Sequence, residues 1–115
     1  MSYPIDLNDL AQRINKNARD HGFWSTDNYP TFGDKIALVH SELSESLEEY
    51  RDHKAWYYEV DGKPEGIGVE LADAIIRILD MCEEMAPQGF NIQQAILNKM
   101  SYNETRSFMH GGKAL

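Results

Sequence analysis

Scarcities narrow this chain before any motif does. A single cysteine, Cys82, permits no intrachain disulfide, which fits a reducing compartment. Its place inside an apolar segment reads as a buried structural thiol. No stretch approaches the ~18 consecutive apolar residues of a membrane span. The opening MSYPIDLNDL also lacks the basic-then-apolar pattern of a signal peptide, so the expected compartment is the cytoplasm. Positive charge is short as well: 11 Lys and Arg stand against 19 Asp and Glu, a net charge of −8. Unaided binding to a nucleic-acid polymer or an anionic membrane needs a basic surface, so neither is an expected partner. A protein this negative that handles phosphates needs local cations, from side chains or from bound metal. Repeats, low-complexity tracts and shifts of composition are all missing, and residues 1–115 read as one domain.

What is present is helical periodicity. Leu7, Leu10, Ala11 and Ile14 repeat at helical spacing and predict a first helix over residues 6–19. Gly22 and STDNYPTFG then break the pattern. A second helix is predicted over 33–52, with Ile36, Val39, Leu43, Leu47 and Tyr50 on its apolar face. HKAWYYEVDGKPEG is a connector; its Asp61-Gly62 pair suits the turn of a short hairpin, although two strands alone are marginal. A third helix is predicted over 64–85, stopped by Pro87 and Gly89. The fourth, over 92–105, has Asn91 as its N-cap and Gln94 three places on. The tail HGGKAL reads as irregular. The expected class is all-α, resembling a four-helix bundle.

The third helix poses the main question. GVELADAIIRILDMC, residues 68–82, is apolar nearly all round, yet Glu70, Asp73, Arg77 and Asp80 share one arc roughly 80° wide. A helix of this kind is buried by its own chain or by a second subunit. Its charges must then be paired, hydrated or metal-bound, because an isolated ionised carboxylate in a dry interior is prohibitively costly. The second helix carries a matching stripe: Glu42, Glu45 and Glu49 at i, i+3, i+7, with Lys35 a further step back. Two successive helices thus each present an acid-x-x-acid pair, Glu42/Glu45 and Glu70/Asp73. Packed antiparallel with these faces opposed, four carboxylates converge and repel unless something positive sits between them. A hard divalent cation with oxygen ligands, Mg²⁺ or Mn²⁺, fits such a site. The alternatives are a solvated acidic face and packing salt bridges to Arg77 or Lys35. A di-iron site uses Glu-x-x-His pairs, and neither pair here supplies a histidine.

Other residues suit the ends of a phosphorylated ligand. Lys99, Asn103, Arg106 and His110 follow at spacings of 4, 3 and 4, with Tyr102 adjoining and Gly111-Gly112-Lys113 after them. They form either a polyphosphate grip or a solvated basic face at a helix C-terminus. In HGFW, Phe23 or Trp24 either stacks on a nucleobase or closes a core. Trp56, Tyr57 and Tyr58 are open to the same two readings.

Together these residues resemble the MazG-like, all-α nucleoside triphosphate pyrophosphohydrolases, a superfamily marked by Glu-x-x-Glu followed after a spacer by Glu-x-x-Asp. The match is Glu42, Glu45, Glu70 and Asp73, within HSELSESLEEYR and GVELADAIIRILD, flanked by HGFW and KMSYNETRSFMHGGK. The resemblance spans about residues 21–113. It implies a Mg²⁺-dependent enzyme that cuts a (d)NTP between the α and β phosphates, releasing monophosphate and pyrophosphate through attack of an activated water. By this analogy Glu42, Glu45, Glu70 and Asp73 hold the metal. Glu45 also orients the water, with Glu49 as its helper. Lys99, Tyr102, Asn103, Arg106 and Lys113 contact phosphate, and His21 and Trp24 border the base. Members of the family are dimers or tetramers, so a homodimer or homotetramer is implied here. A nucleotide-sensing module without turnover and a purely structural helical bundle are the competing functions.

Overall fold

The computed structural model describes residues 5–25 and 29–106. Its elements are α1 (Leu7–Asp20), α2 (Phe32–Arg51), β1 (Tyr58–Val60), β2 (Lys63–Glu65), α3 (Ile67–Glu84) and α4 (Ile92–Glu104), with a short 3₁₀ turn at Ala86–Gln88. The protein is mostly helical, with one two-stranded sheet. Three helices begin on side-chain caps. Asp6 accepts from the N–H groups of Asn8 and Asp9, Thr31 and Asp34 form a reciprocal capping box, and Asn91 accepts from the N–H of Gln94.

The connector folds into the hairpin, with Tyr58 opposite Glu65 and Val60 opposite Lys63. Asp61 and Gly62 both take positive φ, 52° and 81°, the backbone twist that two-residue hairpin turns require. Sequence periodicity alone starts the third helix at residue 64. The pairing of 63–65 with 58–60 delays that start to Ile67.

What makes the short hairpin persist is its attachment to α3. Gly66, the N-cap, offers no side chain, and the carbonyls of Ala55 and Trp56 instead accept from the N–H groups of Ile67 and Gly68 at 3.1 and 2.9 Å. These are helix-start donors that would otherwise lack partners. The approach is so close that a Cβ on Gly66 would lie 2.6 Å from the Trp56 carbonyl oxygen.

α3 is the central element, packed on one side by α2 and on the other by α1, while α4 rests on α1. Three bonds tie the starts of α1 and α4: Leu7 N–H to Gln93 Oε1 (2.7 Å), Asn8 Nδ2 to Asn91 Oδ1 (2.9 Å) and Gln93 N–H to Asn8 Oδ1 (3.4 Å). Lys35, Glu42 and Ser46 are buried, whereas Ile36, Leu43, Leu47 (46% exposed) and Tyr50 (64%) face outward. Ile75, Ile76 and Ile78 of α3 and Ile96, Leu97 and Met100 of α4 are also exposed. Among the described residues the buried apolar set is Ala11, Trp24, Ile67, Ala74 and Leu79. Cys82 is half-buried rather than sealed, and burial raises its thiol pKa. Among the described residues no helix is long and apolar enough to cross a membrane.

Candidate functional site

The two acid-x-x-acid segments do face each other. Ligand atoms of Glu42, Glu45 and Glu70 lie within 4.8 Å of one another, and Glu49, Glu65 and Glu70 form a second such triad sharing Glu70. Glu42 is buried, Glu70 and Glu49 are half-buried, and Glu45 is exposed at the rim. A depression of about 340 Å³ lined by Ser44, Glu45, Glu48, Glu49, Asp52 and Glu70 opens beside them. Asp73, the fourth expected ligand, is outside both triads but within electrostatic reach of them. Burial and the charges of Glu42 and Glu45 raise its pKa, while Arg77 and Lys63 pull it back.

Crowding is most severe at Glu70. Its pKa is pushed up to about 7, first by burial, then by sharing a proton with Glu45 and Glu42, then by the charges of Glu45 and Asp73. Carboxylates brought this close without a counter-charge hold a proton instead. One local cation is already committed, since Arg77 Nε donates to Glu42 Oε1 at 2.9 Å. An all-oxygen donor set of this density fits a hard divalent ion such as Mg²⁺ or Mn²⁺.

The other expected site residues are placed differently. Trp24 is 4% exposed, and its indole N–H donates to both Asp80 oxygens, at 3.0 and 2.9 Å. Tyr29 and Phe32 pack against its ring, and Lys35 Nζ sits 4.4 Å from the ring centroid. Its ring is enclosed by these neighbours, so Trp24 is a core residue that holds Asp80. Phe23 is the exposed aromatic of that junction. His21 is exposed at the end of α1, its Nδ1 2.8 Å from the Asn17 carbonyl oxygen. Lys99, Tyr102 and Asn103 are exposed on α4, whose packing is on α1, and Arg106 is exposed just past its end; Lys99 and Arg106 flank the Tyr102 ring. Among the described residues no ion pair joins Lys99 or Arg106 to the acids. Lys113, with His110 and the glycines between, lies outside the described residues.

Periodicity missed the hairpin's contribution to the cluster and left the partners of Asp80 unread. Glu65 and Lys63 reach the cluster because the hairpin returns to α3; Lys63 Nζ lies 3.1 Å from Glu65 Oε1. The signal was the Asp61-Gly62 turn. Asp80 anchors a buried polar network: it accepts from Asn15 Nδ2 at 2.8 Å as well as from Trp24, and Lys35 Nζ lies 3.8 Å away. Glu84 extends this network to Asn15, Arg19 and Tyr29. Lys35 and Asp80 stand on the two stripes read from the sequence, a spacing that marked them in advance. Comparison with family models, with curated proteins and with solved structures finds no match to the chain.

Proposed function

We propose that this chain is a Mg²⁺-dependent nucleoside triphosphate pyrophosphohydrolase of the MazG-like kind, converting (d)NTP to (d)NMP and pyrophosphate. The observation that carries the proposal is the meeting of Glu42, Glu45 and Glu70 within 4.8 Å, with Asp73 beside them. These four would hold the cation, and Mn²⁺ is a fitting substitute. When bound, the ion supplies positive charge against phosphate oxygens and lowers the pKa of water.

The chain's own groups do the rest. Glu45, exposed at the rim, orients the attacking water and takes its proton, with Glu49 one turn further along α2. The water oxygen bonds to the α-phosphorus as the α–β bridging bond breaks, and the electron pair leaves with pyrophosphate. Arg77 holds Glu42 in place through its 2.9 Å contact. Within one chain α4 is not packed on the acids, so Lys99, Tyr102, Asn103 and Arg106 would meet the phosphates from a second copy. The outward apolar faces of α2, α3 and α4 support a homodimer or homotetramer; the compartment proposed for it is the cytoplasm.

The decisive test is pyrophosphate release from a panel of (d)NTPs with Mg²⁺. The wild type is expected to release it, and Glu45→Gln and Glu70→Gln to lose at least ~10²-fold in kcat while staying folded. No release from any nucleotide would remove the proposal. One observation favours a structural bundle instead: the Arg77–Glu42 pair neutralises part of the cluster without metal. In that case Mg²⁺ leaves the melting temperature unchanged; a bound ion raises it.

A further inference from the structure

The hairpin carries a cation to the rim of the acid cluster. Side chains two apart on a strand point to the same side, so Lys63 and Glu65 share one face of β2. Glu65 stands in the triad with Glu49 and Glu70, and Lys63 Nζ lies 3.1 Å from Glu65 Oε1. The Asp61-Gly62 turn fixes this by pairing Val60 with Lys63; a slip of one residue would turn both side chains away. The ammonium acts on the wider cluster too. Its pKa is raised first by the hydrogen bond to Glu65, then by the charges of Glu65, Glu70 and Asp73. Arg77 is engaged by Glu42, whereas the Lys63 side chain is 77% exposed. An exposed pair such as Lys63–Glu65 contributes little, so exchanging Glu65 for a stronger acceptor costs little.

The two sides of the cluster differ in room. Towards Glu42, a groove of about 940 Å³ lined by Glu42, Asp73 and Arg77 is large enough for a nucleoside. Towards Glu49 lies the depression of about 340 Å³, whose walls apart from Ser44 are acidic: Glu45, Glu48, Glu49, Asp52 and Glu70. Glu49 follows Glu45 by about 6 Å along α2, comparable with the span of a triphosphate from its α to its γ phosphorus. With Glu45 at the α phosphorus and the nucleoside in the larger groove, the β and γ phosphates point towards Glu49 and Glu65. An anion among so many carboxylates needs cations beside it.

We infer that Lys63 is a phosphate-binding residue of the same chain, which exchanges Glu65 for the β and γ phosphates when the metal–nucleotide complex arrives and meets the charge that builds on departing pyrophosphate. This rests on the pyrophosphohydrolase reading and adds to it a cation in cis, beside the α4 residues of a second copy. Before the exchange, the same ammonium is a tethered counter-ion that opposes a bare metal ion. One side chain thus acts with opposite sign on the two ligands.

Calorimetric titration of the wild type and Lys63→Met at pH 8 reads both signs without turnover. Mg²⁺ alone is expected to bind the variant about two- to fivefold tighter, because a positive charge has left the rim. Magnesium pyrophosphate is expected to bind it at least about tenfold more weakly, with Lys63→Arg keeping most of the affinity. A (d)NMP with Mg²⁺ binds wild type and variant alike. Unchanged pyrophosphate affinity overturns the inference, as does weakened Mg²⁺ binding, which would make Lys63 a clip that only positions Glu65. If the wild type hydrolyses (d)NTP in either case, the inference falls alone. A wild type that binds pyrophosphate through Lys63 but hydrolyses no (d)NTP sinks the hydrolase and leaves Lys63 as the anion contact of a sensor. One that binds no Mg²⁺ removes both.

Discussion

At the scale of single residues, Glu70 is the group to watch. Between the ordinary carboxylate range and about pH 7, folded Glu70 keeps a proton that the unfolded chain has released. The native state binds more protons in that window, so the stability of the metal-free protein falls as pH rises through it. Asp73, also raised, acts in the same direction. Melting curves from pH 4.5 to 7.5 in chelator are expected to show this decline, and Glu70→Gln to flatten it. A cation competes with that proton, so Mg²⁺ affinity measured by calorimetry is expected to drop as pH falls below about 7. Trp24 gives a second test. Replacing it with Phe removes both indole bonds to the buried Asp80 and is expected to cost about 1–3 kcal/mol in urea unfolding. Sequence alone left Trp24 open between stacking platform and core. Only the position of Asp80, 56 residues away, decides for the core.

At the scale of elements, the four helices and the Asn91 cap of the last were legible because periodicity and capping are local; the Asp6 and Thr31 caps emerge only in the structure. So was the antiparallel meeting of the two acid stripes, since a charged stripe on an otherwise apolar helix has few places to point. The hairpin was half legible. Asp61-Gly62 signals the turn, but the persistence of the strands depends on carbonyls of Ala55 and Trp56 that no pattern in the sequence announces. Gly66 reports on that attachment. Its φ of 123° and the 2.6 Å from a would-be Cβ to the Trp56 oxygen leave no room for a methyl group. Gly66→Ala is expected to destabilise the fold by about 1–3 kcal/mol or more. Because Glu65 and Glu70 flank it, the same change is expected to weaken Mg²⁺ binding, which Gly62→Ala at the distant turn does far less.

At the scale of the whole molecule, packing leaves an apolar stripe uncovered. Ile36, Leu43, Leu47 and Tyr50 share the apolar face read from the sequence, and within one chain it faces outward while the polar stripe with Lys35, Glu42 and Ser46 lies against α3. Periodicity identifies a face but not the partner that covers it. A second copy is the occupant proposed above, and Leu47→Glu is expected to shift the sedimentation profile toward monomer. In the proposed oligomer the outward stripe would make assembly part of folding, since a lone chain exposes apolar helix faces and, among the described residues, keeps only a handful of sealed apolar side chains. Dilution would then act as a denaturant, and the proposed activity per molecule is expected to fall in a thinned sample even at fixed temperature, salt and magnesium.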